Sequence, residues 1–480
     1  MFSIIVLSLT SLHHVSGDGC WHANAGRFIA KNSRLPLFEP LGRDEPFWSP
    51  PLYHIIAAGV YYFFSAFNNE IANFAVKFIS PVFGVLSLIF SFLLIRKIYS
   101  SKIAFYSTVF IAFLPIFLDY GIFSYVDGML TFFVILSVYL LIENKVVLSG
   151  VAAGLAILIK YNGIFILPVL AYITYKRFND KKIFYRNIAL IVLLPLLISA
   201  PWLIRNWILL GNPIWPFLNF IFNGVEAKSF TDVRITNIIH PDLYIFTYLG
   251  LFGVPDGNYN TLFFFDIPYI KILLFAWLAG TIIFIIPLIL GFFSKNIDKK
   301  RKGLFVIWFC SYLILFFLYA INVGFSVSGI ILPAIPAFAL FWALGFERLI
   351  GNKKLKNLLK IFILIAAGFV IVQIFKITVA ANAWDFYKDD FEWVKSNTKP
   401  DSLFIANGQC IPYNIERTSV YANEENLKKA DYVWVNQEFG LDRRSVLDEK
   451  TLDVIEGNQK LKVVYSNNKT KTKVYGTESR

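Results

Sequence analysis

The chain has 480 residues, 57% hydrophobic, 18% aromatic and only 16% charged. With a mean hydropathy of +0.59, this excludes an ordinary soluble globular protein and indicates several helices crossing a ~30 Å hydrocarbon core, each needing about 20 apolar residues. The formal net charge of +13 would suit a nucleic-acid partner, but 19 basic residues, against four acids, fall in short loops between apolar runs (96–102, 143–150, 176–186, 295–302 and 347–360); such loops stay in the cytoplasm, so the charge is a topology signal and nucleic acid is excluded.

Residues 1–15 are apolar but short and lack a basic n-region. They read as a first spanning helix with a clipped start, the alternative being a cleaved signal peptide, and either way Asp18 lies outside. The stretch Gly17–Asp18–Gly19–Cys20–Trp21–His22 follows. Read as a short amphipathic helix over 18–29, it sets Asp18 and His22 four residues apart on one face, so acid and imidazole converge on one ligand. The alternative makes Asp18 an N-cap and His22 a surface residue.

After a polar loop, Pro50–Pro51 opens the apolar run 52–67. Were it to cross the membrane, the next helix would deliver Arg96 and Lys97 to the outside, so the run is expected to lie along the outer interface. Spans are expected near 74–95, 103–118 and 128–142, the last two joined outside by a loop with Asp119 and Asp127. Segment 150–175 starts and ends inside and is read as two short helices broken at Lys160–Tyr161–Asn162–Gly163, with the lysine deep in the bilayer. A helix near 187–202 leads out to Arg205, a long outer segment runs to 269, and spans follow near 270–293, 303–320, 329–346 and 358–378. That makes about eleven segments with the tail outside. Outer loops 16–73 and 204–269 therefore belong to a membrane module of residues 1–379.

From about residue 380 the composition is that of a soluble unit. A helix around Phe391–Val394 and strands near 402–406, 419–422, 432–436, 462–466 and 473–475 predict a small extracytoplasmic α/β domain over 380–480. The fold class is thus mainly α, a polytopic membrane protein with a small C-terminal α/β domain. Of the three cysteines, Cys310 sits in an apolar run and is expected to be an inert buried thiol, whereas Cys20 and Cys410 both fall outside, where one bridge is open to them.

A charged group within the bilayer needs a reason to be there. Lys160 either snorkels to an interface or meets a lipid phosphate; Arg205 either belongs to an aromatic belt or forks onto phosphate oxygens; Asp127 is either a helix N-cap or part of a site. There is no Gly-rich phosphate loop, no metal-spaced Cys/His set and no repeat, so no nucleotide cofactor is expected.

The order of motifs, Asp18 in the first outer loop, then Ser49–Pro50–Pro51–Leu52–Tyr53, Tyr125–Val126–Asp127–Gly128, Gly154–Leu155–Ala156–Ile157–Leu158–Ile159–Lys160–Tyr161 and Pro201–Trp202–Leu203–Ile204–Arg205–Asn206–Trp207, resembles the polytopic GT-C glycosyltransferases of the protein-mannosyltransferase and aminoarabinose-transferase-like branch. The resemblance covers about residues 15–215, with a weaker echo at Leu332–Ala337. It implies inverting transfer of a sugar from a polyprenyl-phosphate (dolichyl-phosphate) donor to an acceptor hydroxyl on the outside. Asp18 would be the base, and His22, Asp127, Lys160, Tyr161 and Arg205 would bind substrate. The family's acid after that aspartate is Gly19 here, its tyrosine position holds His22, and its His before Pro-Pro is Ser49. These departures leave metal use undetermined, and leave the acceptor a glycan, a lipid or a protein. The tail Phe391–Asp401 is similar to the outer domain of archaeal oligosaccharyltransferases. Where their Trp-Trp-Asp-Tyr-Gly acceptor signature should follow, this chain reads Asn407–Gly408–Gln409–Cys410, which argues against that activity. The other readings are a transporter or flippase of a lipid-linked glycan, since a midplane lysine at a broken helix also suits carriers, and a scaffold using its outer domain for partners.

Overall fold

The computed structural model describes residues 2–12, 14–15, 17–38, 45–226, 234–253, 277–294, 299–323, 328–351, 383–436 and 447–477, with a few positions between 364 and 375. The helical part opens with α1 (Phe2–Leu12), α2 (Asp18–Asn32), α3 (Leu52–Ser65), α4 (Asn69–Lys77) and α5 (Ile79–Ile98). The expected outer helix begins at Asp18 and runs to Asn32, and the apolar run after Pro50–Pro51 is the separate, 14-residue α3. Its length falls short of a span. Asn68 and Ser100 cap α4 and the helix that follows α5 with their side chains, accepting from the Ile71 and Ile103 amides.

Next come α6 (Ser101–Phe113) and α7 (Pro115–Ile122). Pro115 cannot donate into the preceding turn, and the two helices meet at 63°. Asp119, expected in a loop, therefore sits on α7. Then follow α8 (Asp127–Ile142), α9 (Val146–Ile159), a 3₁₀ turn (Tyr161–Ile166), α10 (Leu167–Arg177) and the 30-residue α11 (Lys181–Leu210). The expected break is present: Lys160 is extended (φ −155°, ψ 138°) between α9 and the turn. Gly163 makes the turn compact, because a Cβ there would lie 2.5 Å from the Ala156 carbonyl carbon.

Four helical stretches among the described residues are long and apolar enough to cross a membrane: Asn69–Ile98, Lys181–Leu210, Arg301–Ile321 and Ser328–Gly351. The bent α6–α7 pair makes a fifth, and shorter apolar helices include Asp127–Ile142, Val146–Ile159 and Trp277–Phe292. The count of eleven was read from apolar runs, several of which are helices shorter than a span. The expected span at 358–378 lies largely outside the described residues. Cys310 is exposed rather than buried, because the outer surface of such a bundle is itself apolar and hydropathy cannot separate lipid-facing from core positions.

All five expected strands are present: β1 (Leu403–Ile405), β2 (Thr418–Val420), β3 (Tyr432–Asn436), β4 (Leu461–Asn467) and β5 (Thr472–Thr477), in the order β2-β1-β3-β5-β4. β1 pairs parallel with β2 and β3, and β5 is antiparallel to β3 and β4. Side chains alternate across the sheet: Phe404, Trp434 and Val474 join the main core, whereas Ile405, Val433, Val435 and Tyr475 pack with Leu447 and Ile455 on the other face. The expected helix around Phe391 spans Lys388–Asn397, and its Phe391 ring stacks on Trp434. Its fully buried Asp390 accepts from Tyr465, Asn467 and Thr472, so this carboxylate is a satisfied structural group.

Candidate active site

Gly17 turns the chain into α2 at φ 54°, and a Cβ there would also meet the Tyr125 hydroxyl at 3.1 Å. Gly17, not Asp18, is the N-cap, and it makes no side-chain capping bond. The N-cap reading of Asp18 is therefore wrong: Asp18 is the first helical residue, exposed, with its carboxylate favoured by the helix dipole. From Gly19 to Arg27 every residue of α2 is buried.

His22 is not a surface residue. It is 8% exposed and lies in a ring cluster with Trp21, Tyr53 and His54. Its Nδ1 is 2.8 Å from His54 Nε2, and His54 Nδ1 is 3.3 Å from the Pro50 carbonyl oxygen. A carbonyl only accepts, so His54 donates from Nδ1, its Nε2 accepts, and His22 donates from Nδ1. His22 Nε2 then carries the lone pair. Burial pushes His54 down to about 3, so it stays neutral. Of the two residues expected to converge, Asp18 is exposed at the start of α2 and His22 is buried against α3.

Lys160 and Asp127 are 33 residues apart in sequence but form an ion pair at 2.8 Å, with side-chain exposures of 24% and 7%. Asp127 is the first residue of α8 and Val126 its N-cap, so the capping reading is corrected here too. Asp18 and Tyr319 lie within electrostatic range of the Lys160 ammonium. The structure thus gathers Asp18, Asp127 and Tyr319 around one cation, the Lys160 ammonium. An ammonium has three donors, and Asp127 takes one.

Beside Lys160, the buried hydroxyl of Tyr161 accepts from Trp202 Nε1 at 2.9 Å and from Asn206 Nδ2 at 3.0 Å, and donates to the Trp48 carbonyl at 3.4 Å. Arg205 lies 4.8 Å over the Trp202 ring, donates to Asn206 Oδ1 at 2.9 Å and holds the Pro36 carbonyl at 2.7 Å. It therefore ties the loop between α2 and α3 to α11, a contact that neither of its two expected roles included. An apolar groove of about 400 Å³ adjoins this network, lined among others by Ile157, Tyr161, Phe165, Leu203, Phe217 and Tyr319. Among the described residues no group of three or more His, Cys, Asp or Glu is placed to hold a metal ion.

Sequence reasoning missed four participants. His54 follows the Pro-Pro motif directly, and Trp202 and Asn206 lie inside a quoted motif, so proximity to Tyr161 was the missing signal. Tyr319 comes from a helix 158 positions after Tyr161 and carried none.

Residues 49–204, about a third of the chain, match the family model described as dolichyl-phosphate-mannose-protein mannosyltransferase. Among solved structures, the chain is similar to ArnT from Cupriavidus metallidurans bound to undecaprenyl phosphate (14% identity, TM-score 0.63, covering 98% of this chain and 95% of that one). It is also similar to the Archaeoglobus fulgidus oligosaccharyltransferase in the apo form (15%, TM-score 0.57, 91% and 69%). A third similar structure is AglB from the same organism in complex with an inhibitory peptide and a dolichol-phosphate (14%, TM-score 0.55, 91% and 69%). No curated protein matches the chain by sequence. The fold is that of the GT-C glycosyltransferases.

Proposed function

We propose that this membrane glycosyltransferase of the GT-C type transfers a sugar from a polyprenyl-phosphate donor to an acceptor hydroxyl, with inversion, at the outer face of the plasma membrane. Its enzyme class displaces the carrier and scaffold alternatives. Asp18 takes the proton of the acceptor hydroxyl, the oxygen attacks the anomeric carbon, and the bond from that carbon to the phosphate oxygen breaks. Polyprenyl phosphate leaves with the electron pair. A base of this kind works by position and proton affinity. Because the leaving group is already a phosphate, the protein mainly has to stabilise its charge, with Lys160 as point charge and Arg205 as planar fork.

One observation carries the reading: the exposed carboxylate of Asp18 lies within electrostatic range of Lys160, which pairs with Asp127 beside an apolar groove of about 400 Å³ lined in part by Tyr161 and Tyr319. The undecaprenyl phosphate of ArnT and the dolichol-phosphate of AglB support the same carrier chemistry here. Incubating membranes containing the protein with labelled polyprenyl-phosphate sugars should release polyprenyl phosphate. Turnover of a soluble nucleotide sugar by the purified protein, with no lipid carrier, would sink the proposal.

The site is further proposed to face outward on a membrane module of residues 1–379, with residues 380–480 as an outer domain, because the Lys/Arg-rich loops belong inside. Asn423 caps a short helix, so the exposed neighbour Glu424 is the better reporter. In a Cys310→Ser background, Glu424→Cys should react with an impermeant maleimide in intact cells. Reaction only after permeabilisation would reverse the orientation.

A further inference from the structure

Cys20 and Cys410, 390 positions apart, form a disulfide. Cys410 opens the short outer-domain helix Cys410–Ile415, and its sulfur lies 3.8 Å from the Gly17 carbonyl oxygen. About two turns further along α2, the buried Arg27 reaches the same helix. Its Nη1 donates to the Tyr413 carbonyl at 3.0 Å, its Nη2 donates to the Pro412 carbonyl at 3.2 Å and to Asn24 Oδ1 at 2.8 Å, and its guanidinium lies 5.2 Å from the Tyr413 ring centre. The last carbonyls of a helix have no partner within it, so a cation that collects two of them is well placed. Burial pushes the Tyr413 phenol up to about 12, leaving Arg27 on a neutral ring. The domain is also tied to α4, where Asn73 donates to Glu416 at 3.2 Å.

The first turn of α2 has no side-chain cap, and helix ends so left are the ones that fray. Asp18 stands in that turn, two residues from the bridge. We infer that the outer domain is a clamp on the base, with the Cys20–Cys410 bridge and Arg27 as positioning groups that fix the Asp18 carboxylate for the chemical step. The inference rests on the reading of Asp18 as base. It assigns the domain a part in catalysis itself, beyond any part in recognising acceptor.

The test is a kinetic cycle on the full-length protein with labelled dolichyl-phosphate mannose, or whichever lipid-phosphate sugar of a panel the wild type turns over. Removing the bridge with Cys20→Ser/Cys410→Ser should lower kcat about 10²-fold, the scale expected for misplacing a reacting group by an ångström. The donor KM should stay within about threefold, since uniform binding is untouched. On an Asp18→Asn background the same removal should cost less than about threefold more, because no base is left to misplace, whereas a folding defect would multiply in full. Unchanged kcat in the bridge variant, or full multiplication on the Asp18→Asn background, overturns the clamp. If the bridge variant does not fold, Arg27→Met taken through the same cycle decides, with about a 10-fold loss expected and the same non-additivity. The two readings fail separately. An active Asp18→Asn overturns the base and with it the positioning role, while a dead Asp18→Asn beside a fully active bridge variant overturns the clamp alone.

Discussion

Asp18→Asn should lower turnover by about 10²- to 10⁴-fold, the usual contribution of a positioned base, while donor binding persists. The amide keeps the shape of the carboxylate at the start of α2, where no side-chain cap depends on it, so the fold should be unaffected. It cannot accept the acceptor's proton, and the loss should fall on kcat and on kcat/KM together, the pattern of an interaction made in the transition state. Release of polyprenyl phosphate measures the rate, and the rise in melting temperature on adding donor measures binding. Near-normal turnover would remove Asp18 from the chemistry and leave His22 as the nearest titratable alternative on the same helix.

The second large effect concerns Lys160. Its ammonium is held 2.8 Å from a carboxylate that is 7% exposed, so Lys160→Met leaves Asp127 buried without its cation. Breaking a buried pair from one side costs about 3–5 kcal/mol, and the variant should melt well below the wild type. This replaces the expectation, natural from the sequence, that removing a snorkelling lysine would be neutral or stabilising. The compensated variant Lys160→Met/Asp127→Asn should recover most of the melting temperature, since a neutral amide in place of the carboxylate leaves no unpaired charge. Donor affinity separates the two roles. If Lys160 also holds the donor phosphate, the compensated variant folds but binds lipid-phosphate sugar weakly. Wild-type donor affinity in that variant would make the pair purely structural.

Much of this molecule was legible in its sequence because the signals involved are local. Long apolar runs, the break at Lys160–Gly163 and the alternating strands of the C-terminal domain each depend on residues a few positions apart, and each has a period or a composition that needs no knowledge of what packs where. The ordered motifs of the first 215 residues add to these, and the GT-C fold agrees with them. Helix lengths were less legible, since an apolar run does not say where its hydrogen bonding stops. Pro115 divides α6 from α7, whereas α11 runs through both Pro195 and Pro201.

What only the tertiary structure decided are the relations between residues far apart in the chain. The sequence offered Lys160 and Asp127 as two separate charges, each with an innocuous explanation; folding places them in contact across α8 and the end of α9. It offered His22 as a surface residue or a partner of Asp18, and packing against α3 buried the imidazole beside His54. It left Cys20 and Cys410 an open choice, and the docking of the C-terminal residues onto α2 joined them. Cys310 was misjudged for a related reason: in a bilayer the surface and the core are equally apolar, so only the position of neighbouring helices separates them. Local pattern marks which segments are apolar helices and which alternate as strands, because backbone periodicity acts residue by residue. Which charges pair and which cysteines meet are set by how the helices pack, a property of the whole chain.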